Sequence, residues 1–158
     1  MKKKIIGIIV CILGCELVGG IGSLFTMPAI AVWYAGLNKA SLNPPGWVFG
    51  PVWTLLFALM GIAVFLVWQR AGRDKRSKTA LSAFVVQLAL NVLWSILFFG
   101  MHNPVAAFVD IVILWLAIVW TIAAFWKLSR PAAWLMAPYL LWVSFAAYLN
   151  YSIVILNK

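Results

Sequence analysis

The chain has 158 residues, of which 66% are apolar and 9% charged, and its formal net charge is +9. A soluble domain of that length carries roughly a quarter charged residues, so the composition excludes a water-soluble globule and assigns most of the surface to lipid. The basic residues stand in short runs between apolar stretches, which is the pattern of membrane topology and not the footprint of a nucleic-acid binder.

Five stretches reach the about 20 mostly apolar residues a helix needs to cross a bilayer. They cover 5–30, 47–68, 79–101, 104–126 and 131–156. Transmembrane strands would alternate polar and apolar positions, and these runs do not. The expected fold class is therefore an all-α membrane protein, a five-transmembrane-helix bundle forming one domain over 1–158. The first run opens on Lys2, Lys3 and Lys4 and passes Ile12-Leu13-Gly14-Cys15, which resembles a signal peptide with a lipoprotein cleavage box. The apolar stretch continues well past the roughly 7–15 residues of a signal, so a retained helix is expected. Gly19-x-x-x-Ser23 on the same helix offers a close-packing face, as do the small residues of the third helix, and the choice of dimer face between them stays open.

The second run carries no charge. Thr79 and Asn103 suit the N-caps of the third and fourth helices, and Pro104 and Pro131 suit first turns, where a missing N–H costs nothing. The connections are short except for 31–46, which makes sequential helices antiparallel neighbours. One side of such a bundle collects Lys2, Lys3, Lys4, Arg70, Arg73, Lys75, Arg76, Lys78, Lys127 and Arg130, against Lys39 and Lys158 on the other. The positive-inside rule then places the N-terminus in the cytoplasm and the C-terminus and the 31–46 loop outside a cell membrane.

Conventional catalytic machinery is not visible. Cys11 and Cys15 lie one turn apart on one helix and read as buried thiols. The single histidine, His102, falls in a two-residue turn and reads as a solvated loop residue. There is no nucleophile–base set, phosphate loop or paired carboxylate, and no cofactor or metal is expected. The intramembrane polar residues are more informative, because such groups are costly in lipid and mark functional or interhelical contacts. They are Glu16, Gln87, Asn91, Asp110 and Asn150, all expected to point into the bundle. For Asn91, Asp110 and Asn150, interhelical bonding and ligand contact stay equally open. Glu16 has no cation at its depth, which leaves it protonated or facing a partner subunit.

Helical spacing joins these groups to aromatic ones. Gln87, Asn91, Trp94 and Phe98 share one face of the third helix. Tyr139, Trp142, Ala146 and Asn150 share one face of the fifth, and Trp53, Phe57, Met60, Gly61 and Val64 form a stripe on the second. Trp68, Trp126 and Trp134 sit at span ends and read as an interfacial belt; Trp115 and Trp120 read as lipid or neighbour contacts. Trp53, Trp94 and Trp142 share faces with polar or small residues and would suit a large, flat aromatic ligand, stacked on indoles and oriented by amides.

Ordered blocks along nearly the whole chain carry a resemblance. They are Trp33-Tyr34-Ala35-Gly36-Leu37-Asn38-Lys39, Asn43-Pro44-Pro45-Gly46-Trp47-Val48-Phe49-Gly50-Pro51-Val52-Trp53, Gln87-Leu88-Ala89-Leu90-Asn91 with Phe98-Phe99-Gly100, Asp110, Pro138-Tyr139-Leu140-Leu141-Trp142, Phe145-Ala146 and Leu149-Asn150-Tyr151. Together they resemble the translocator protein family (TspO/MBR), also called tryptophan-rich sensory proteins or peripheral benzodiazepine receptors, in a prokaryotic form. The resemblance implies a homodimeric five-helix bundle that binds porphyrins such as protoporphyrin IX and isoquinoline carboxamide or benzodiazepine drugs. It implies ligand contacts from Trp33, Tyr34, Trp47, Phe49, Trp53, Asn91, Trp94, Phe98, Tyr139, Trp142, Ala146 and Asn150, under a lid that includes Pro44 and Pro45. It also implies light- and oxygen-dependent porphyrin breakdown as a candidate activity, with Trp53 and Trp142 nearest the ring. The alternatives are a porphyrin or lipid transporter and a stress-signalling sensor without catalysis. Expected partners are thus a flat aromatic small molecule, membrane lipids and a second copy of the chain, and no nucleic acid.

Two departures stand out. Where many relatives have Pro-x-Trp ahead of the paired prolines, this chain has Ala40-Ser41-Leu42, so one loop tryptophan is missing. Six residues separate Tyr151 from Lys158, one more than the cholesterol-contact pattern allows, so sterol transport is not expected.

Overall fold

The computed structural model describes residues 2–70 and 76–158, so the expected basic residues Arg73 and Lys75 lie outside the described residues. Helix α1 spans Lys2–Ala31, α2 Gly46–Trp68, α3 Arg76–Ser95, α4 Pro104–Trp126, α5 Arg130–Leu135 and α6 Ala137–Leu156. A 3-10 turn over Tyr34–Gly36 lies in the first connection, and a π-helical turn over Ile96–Gly100 extends α3. With α3 and its π turn, and α5 with α6, counted as single spans, five helices are long and apolar enough to cross a membrane.

The boundaries follow from local chemistry. Asn103 caps α4 as expected, its side chain accepting from the Ala106 N–H at 3.0 Å, with Pro104 in the first turn. Thr79 does not cap α3: the helix is already formed at Arg76, and Thr79 lies within its first turns. The fifth span is not one helix. It breaks at Met136, where the backbone N–H turns back to the Ala133 carbonyl at 3.1 Å. Pro138, two residues on, lacks the N–H that would continue the ladder and takes the first turn of α6 instead. At the end of α3, the Met101 N–H reaches the Ile96 carbonyl at 2.7 Å. That wider turn inserts one extra residue, and both Phe98 and Phe99 are buried. His102 then reverses the chain with φ of 51°.

In the bundle, α1 packs on α2 and α3, α3 on α4, α4 on α5 and α6, and α2 on α5. The up-down order gathers the starts of α1, α3 and α5 at one end, with Lys2, Lys3, Lys4, Arg70, Arg76, Lys78, Lys127 and Arg130; this is the basic end. Lys39, His102 and Lys158 lie at the far end. The core is built from Met60, Ile118, Phe125, Met136 and Tyr139, all without exposure, and Phe84 stacks on Phe125 at 5.8 Å. Leu17, Leu24 and Leu141 are each more than 70% exposed, an outward leucine surface that lipid solvates and water would not. At the basic end, Trp126 and Trp134 meet edge to face at 6.0 Å with Arg130 over the Trp126 ring, as an interfacial belt would.

Close approach of α1 to α2 depends on Gly61. A Cβ there would lie 2.5 Å from the Ile12 Cα, a backbone atom that cannot swing aside, whereas one on Gly14 would meet nothing within 4 Å. Gly61→Ala is expected to destabilise the protein by about 1–3 kcal/mol through overpacking, seen as a lower thermal midpoint in detergent. Gly14→Ala is expected not to lower it.

Candidate functional site

Toward the far end, α2 and α6 separate, because α2 meets the fifth span through α5 and α6 leans on α4. The gap opens into a cleft of about 540 Å³ bounded by α1, α2, α3 and α6, within the roughly 300–1,000 Å³ of small-molecule sites. From α2 it takes Trp47, Phe49, Trp53 and Phe57; from α3 Asn91, Trp94 and Ser95; from the π turn Phe99; and from α6 Trp142 and Ala146. Phe49 and Trp142 meet edge to face across the gap at 6.1 Å. Trp53 leans on Phe57 at 5.6 Å and on the Tyr139 ring at 6.2 Å. Among the described residues, the indole N–H groups of Trp53 and Trp142 have no hydrogen-bond partner, whereas that of Trp94 is engaged. The wall therefore offers two unengaged indoles and one held rigid.

The structure sorts the expected ligand residues into two groups. Trp47, Phe49, Trp53, Asn91, Trp94, Trp142 and Ala146 line the cleft. Trp33, Tyr34, Phe98, Tyr139, Asn150, Pro44 and Pro45 do not, and each has a place behind or above it. Asn150, 1% exposed, spends both ends of its amide on the fold: its oxygen accepts from Trp94 Nε1 at 3.0 Å, and its nitrogen donates to the Pro104 carbonyl at 2.8 Å. Tyr139 is fully buried, and its hydroxyl accepts from Asn91 Nδ2 at 3.1 Å. That bond holds the Asn91 amide at the cleft, where its oxygen bonds no described residue. Phe98 stacks behind Trp94 at 5.1 Å. Gln87 and Asp110 are buried away from the cleft; Gln87 Nε2 reaches the Met60 sulfur at 3.9 Å, while Gln87 Oε1 and Asp110 Oδ2 have no partner among the described residues.

The first connection is strapped over the far end. Trp33 stacks on His102, which is exposed in its turn as expected, at 4.5 Å and meets Phe98 edge-on at 5.4 Å. Burial raises the Tyr34 phenol above its ordinary value, and the neutral hydroxyl donates to Asn43 Oδ1 at 2.6 Å. Lys39 Nζ donates to the carbonyls of Tyr34, Ala35 and Leu37 at 2.8, 3.1 and 2.7 Å, satisfying the end of the 3-10 turn. Asn38 and Asn157 bond reciprocally, each distance 2.9 Å, tying the loop to the end of α6. Pro44 and Pro45 lead from this strap into α2, which delivers Trp47, 75% exposed, to the cleft mouth.

Sequence reasoning gave α1 no part in the cleft. Glu16, Gly19, Ser23, Thr26 and Ile30 all line it, a stripe at helical spacing whose small residues leave room. The Gly19 face packs on the Phe57 ring of the same chain, and a Cβ on Gly22 would come within 3.1 Å of Ser95 Oγ. The signal was present as Glu16 and the Gly19–Ser23 pair, but the cleft face of α1 carries none of the aromatic residues that mark the other walls.

This arrangement defines a multi-pass membrane protein of five spans with a ligand-sized aromatic cleft between them. The TspO/MBR family profile matches residues 11–156, and the chain belongs to that family. It is 46% identical over 157 residues to the tryptophan-rich protein TspO of Chlorobaculum tepidum, covering 99% of each chain. It is 44% identical over 155 residues to the tryptophan-rich protein TspO of Archaeoglobus fulgidus, covering 98% of this chain and 99% of the other. With the translocator protein of Homo sapiens it shares 39% identity over 142 residues, 89% of this chain and 82% of the human one.

Asn150→Leu would orphan the Trp94 N–H and take a second bond from the Pro104 carbonyl, which keeps its place in the α4 ladder. Each buried unpaired group costs about 1–3 kcal/mol, so the variant is expected to unfold at clearly lower temperature in detergent. Asn91→Leu leaves only the Tyr139 hydroxyl to find a new partner and is expected to lose less.

Proposed function

We propose that the protein is an integral membrane receptor for flat tetrapyrroles, with protoporphyrin IX as the reference ligand, and for drug-sized isoquinoline carboxamides and benzodiazepines. The observation that supports this most is the wall of Phe49, Trp53, Trp94 and Trp142 around one cleft, with the Asn91 amide at its inner end. Stacking on indoles supplies affinity to a flat ring, and a fixed amide orients it. Membership of a family whose relatives are named translocator protein and tryptophan-rich protein supports the same reading. In this account the basic end is cytoplasmic, the strapped loop lies outside the cell membrane, and the chain works as a homodimer. Trp33, Tyr34, Phe98, Tyr139, Asn150, Pro44 and Pro45 support the walls and the mouth rather than touch the ligand.

A second reading rests on the unengaged indoles of Trp53 and Trp142. Light-excited porphyrin and oxygen would supply the oxidation, and an adjacent indole would take part in it, so the protein's contribution is orientation and exclusion of water. Under the sensor or transporter alternative, binding occurs in the dark and light changes nothing.

Titration of protoporphyrin IX in the dark, followed by tryptophan quenching in detergent, is expected to saturate in the micromolar range. Quenching indistinguishable from that in empty micelles would overturn the tetrapyrrole assignment. Trp53→Ala is expected to weaken binding about fivefold, the equivalent of about 1 kcal/mol of lost aromatic contact. Trp142→Phe is expected to bind nearly normally. A loss of light- and oxygen-dependent breakdown in that variant would assign the indole a chemical role, and unchanged breakdown would remove it.

A further inference from the structure

One carboxyl faces the cleft from α1, and neither the fold nor the proposed binding mode has used it. Glu16 lies about 21 Å along the helix from Lys2 and about 22 Å from Ala31, at 1.5 Å per residue. It is therefore at the middle of a bilayer whose hydrocarbon core is about 30 Å thick. All other α1 residues of the lining, from Gly19 to Ala31, lie farther toward the far end. Phe57 on α2 and Asn91 on α3 are likewise the innermost lining residues of their helices. Glu16, Phe57 and Asn91 thus form the inner end of the cleft.

Glu16 has no hydrogen bond or ion pair to any described residue, and the described lysines and arginines stand near the helix ends or in the connections. The side chain is part-exposed and borders the cleft. A carboxyl at this depth is costly unless something pairs with it. Near the inner end, the Asn91 amide N–H bonds Tyr139 and the Ser95 hydroxyl bonds the Asn91 carbonyl, so neither donates to Glu16, and the Asn91 oxygen that remains is an acceptor. A ligand nitrogen entering the cleft would supply such a partner. The aromatic walls favour a delocalised cation for the same electrostatic reason that Glu16 does.

We propose that Glu16 is the specificity-determining residue of the cleft. Its carboxyl accepts a hydrogen bond from, or pairs with, an N–H or cationic nitrogen of a flat aromatic ligand, and it repels any ligand that would present a carboxylate at the inner end. This rests on the ligand reading above and sharpens it: a porphyrin, whose N–H groups lie at the centre of its ring, enters with its apolar edge inward, and its propionates stay at the mouth near Trp47. The preferred chemical class is a planar aromatic carrying a nitrogen donor, and planar aromatics with a single buried acid are disfavoured.

The test compares three planar probes of equal size on the full-length protein in detergent: an aminoacridine cation, the neutral hydrocarbon anthracene and anthracene carboxylate. Wild type is expected to bind them in that order. Glu16→Gln keeps the shape and is expected to weaken the cation by about tenfold, the worth of a charged hydrogen bond, to leave anthracene within twofold, and to strengthen the carboxylate. Glu16→Ala, with monodispersity checked by gel filtration, guards against a folding defect in the first variant. Equal effects of Glu16→Gln on all three probes, or none, would overturn the role of Glu16. If protoporphyrin IX still saturates in that case, the ligand reading stands without it; if no probe and no porphyrin saturates in wild type, both fall.

Discussion

The bundle depends on the rule that a polar group in lipid must find its partner inside the protein. Asn150 shows the rule at work. One amide joins the Trp94 indole on α3 to the Pro104 carbonyl at the start of α4, from a position on α6. Three helices are thereby locked at one depth by two hydrogen bonds. Nearer the start of α6, the Asn91–Tyr139 bond ties α3 to α6 again. Each of these bonds also fixes an orientation. Because α6 is held against α3 and α4, it stands off from α2, and the cleft is the space that remains.

The cleft inherits its character from that arrangement. Its rigid side is α3 and α6, where Trp94 and Asn91 are pinned by partners outside the cavity. Its opposite side is α1, where glycines and Ser23 allow a close wall with little bulk. The aromatic groups of α2 fill the corner between them. The loop does not plug the opening: it is strapped through Asn38, Asn157 and the Trp33–His102 stack to the ends of α6 and the α3–α4 turn. Entry of a flat molecule therefore requires no rebuilding of the core, only displacement of side chains such as Trp47 at the mouth.

Much of this was legible in the residues. Five spans, the α4 boundaries and the Asn103 cap follow from hydropathy and capping chemistry alone. The aromatic faces of α2, α3 and α6 were visible at helical spacing, and six of the residues they supplied, Trp53, Phe57, Asn91, Trp94, Trp142 and Ala146, line one cleft. Other features depended on tertiary packing. The spacing that groups Asn150 with Trp142 cannot say which of them meets a neighbour and which a cavity, because one face of a helix is wide enough for both. The π turn shifts Phe98 behind Trp94, where a regular helix would have kept it on the same stripe. The break at Met136 comes from Pro138 acting within what reads as an uninterrupted apolar run. Helix α1 was overlooked because glycine and serine give no pattern of their own; they acquire meaning only against Phe57 and Ser95.

The central claim is that one cleft among α1, α2, α3 and α6 takes the ligand within the membrane span. The most direct measurement is photo-crosslinking of the protein in lipid nanodiscs with a planar aromatic diazirine, competed by protoporphyrin IX and mapped by mass spectrometry. The account predicts adducts that protoporphyrin removes on Gly19, Phe57, Asn91 and Trp142. Adducts confined to lipid-facing positions such as Leu17, Val109 and Leu116, or labelling of the cleft that porphyrin does not suppress, would contradict it.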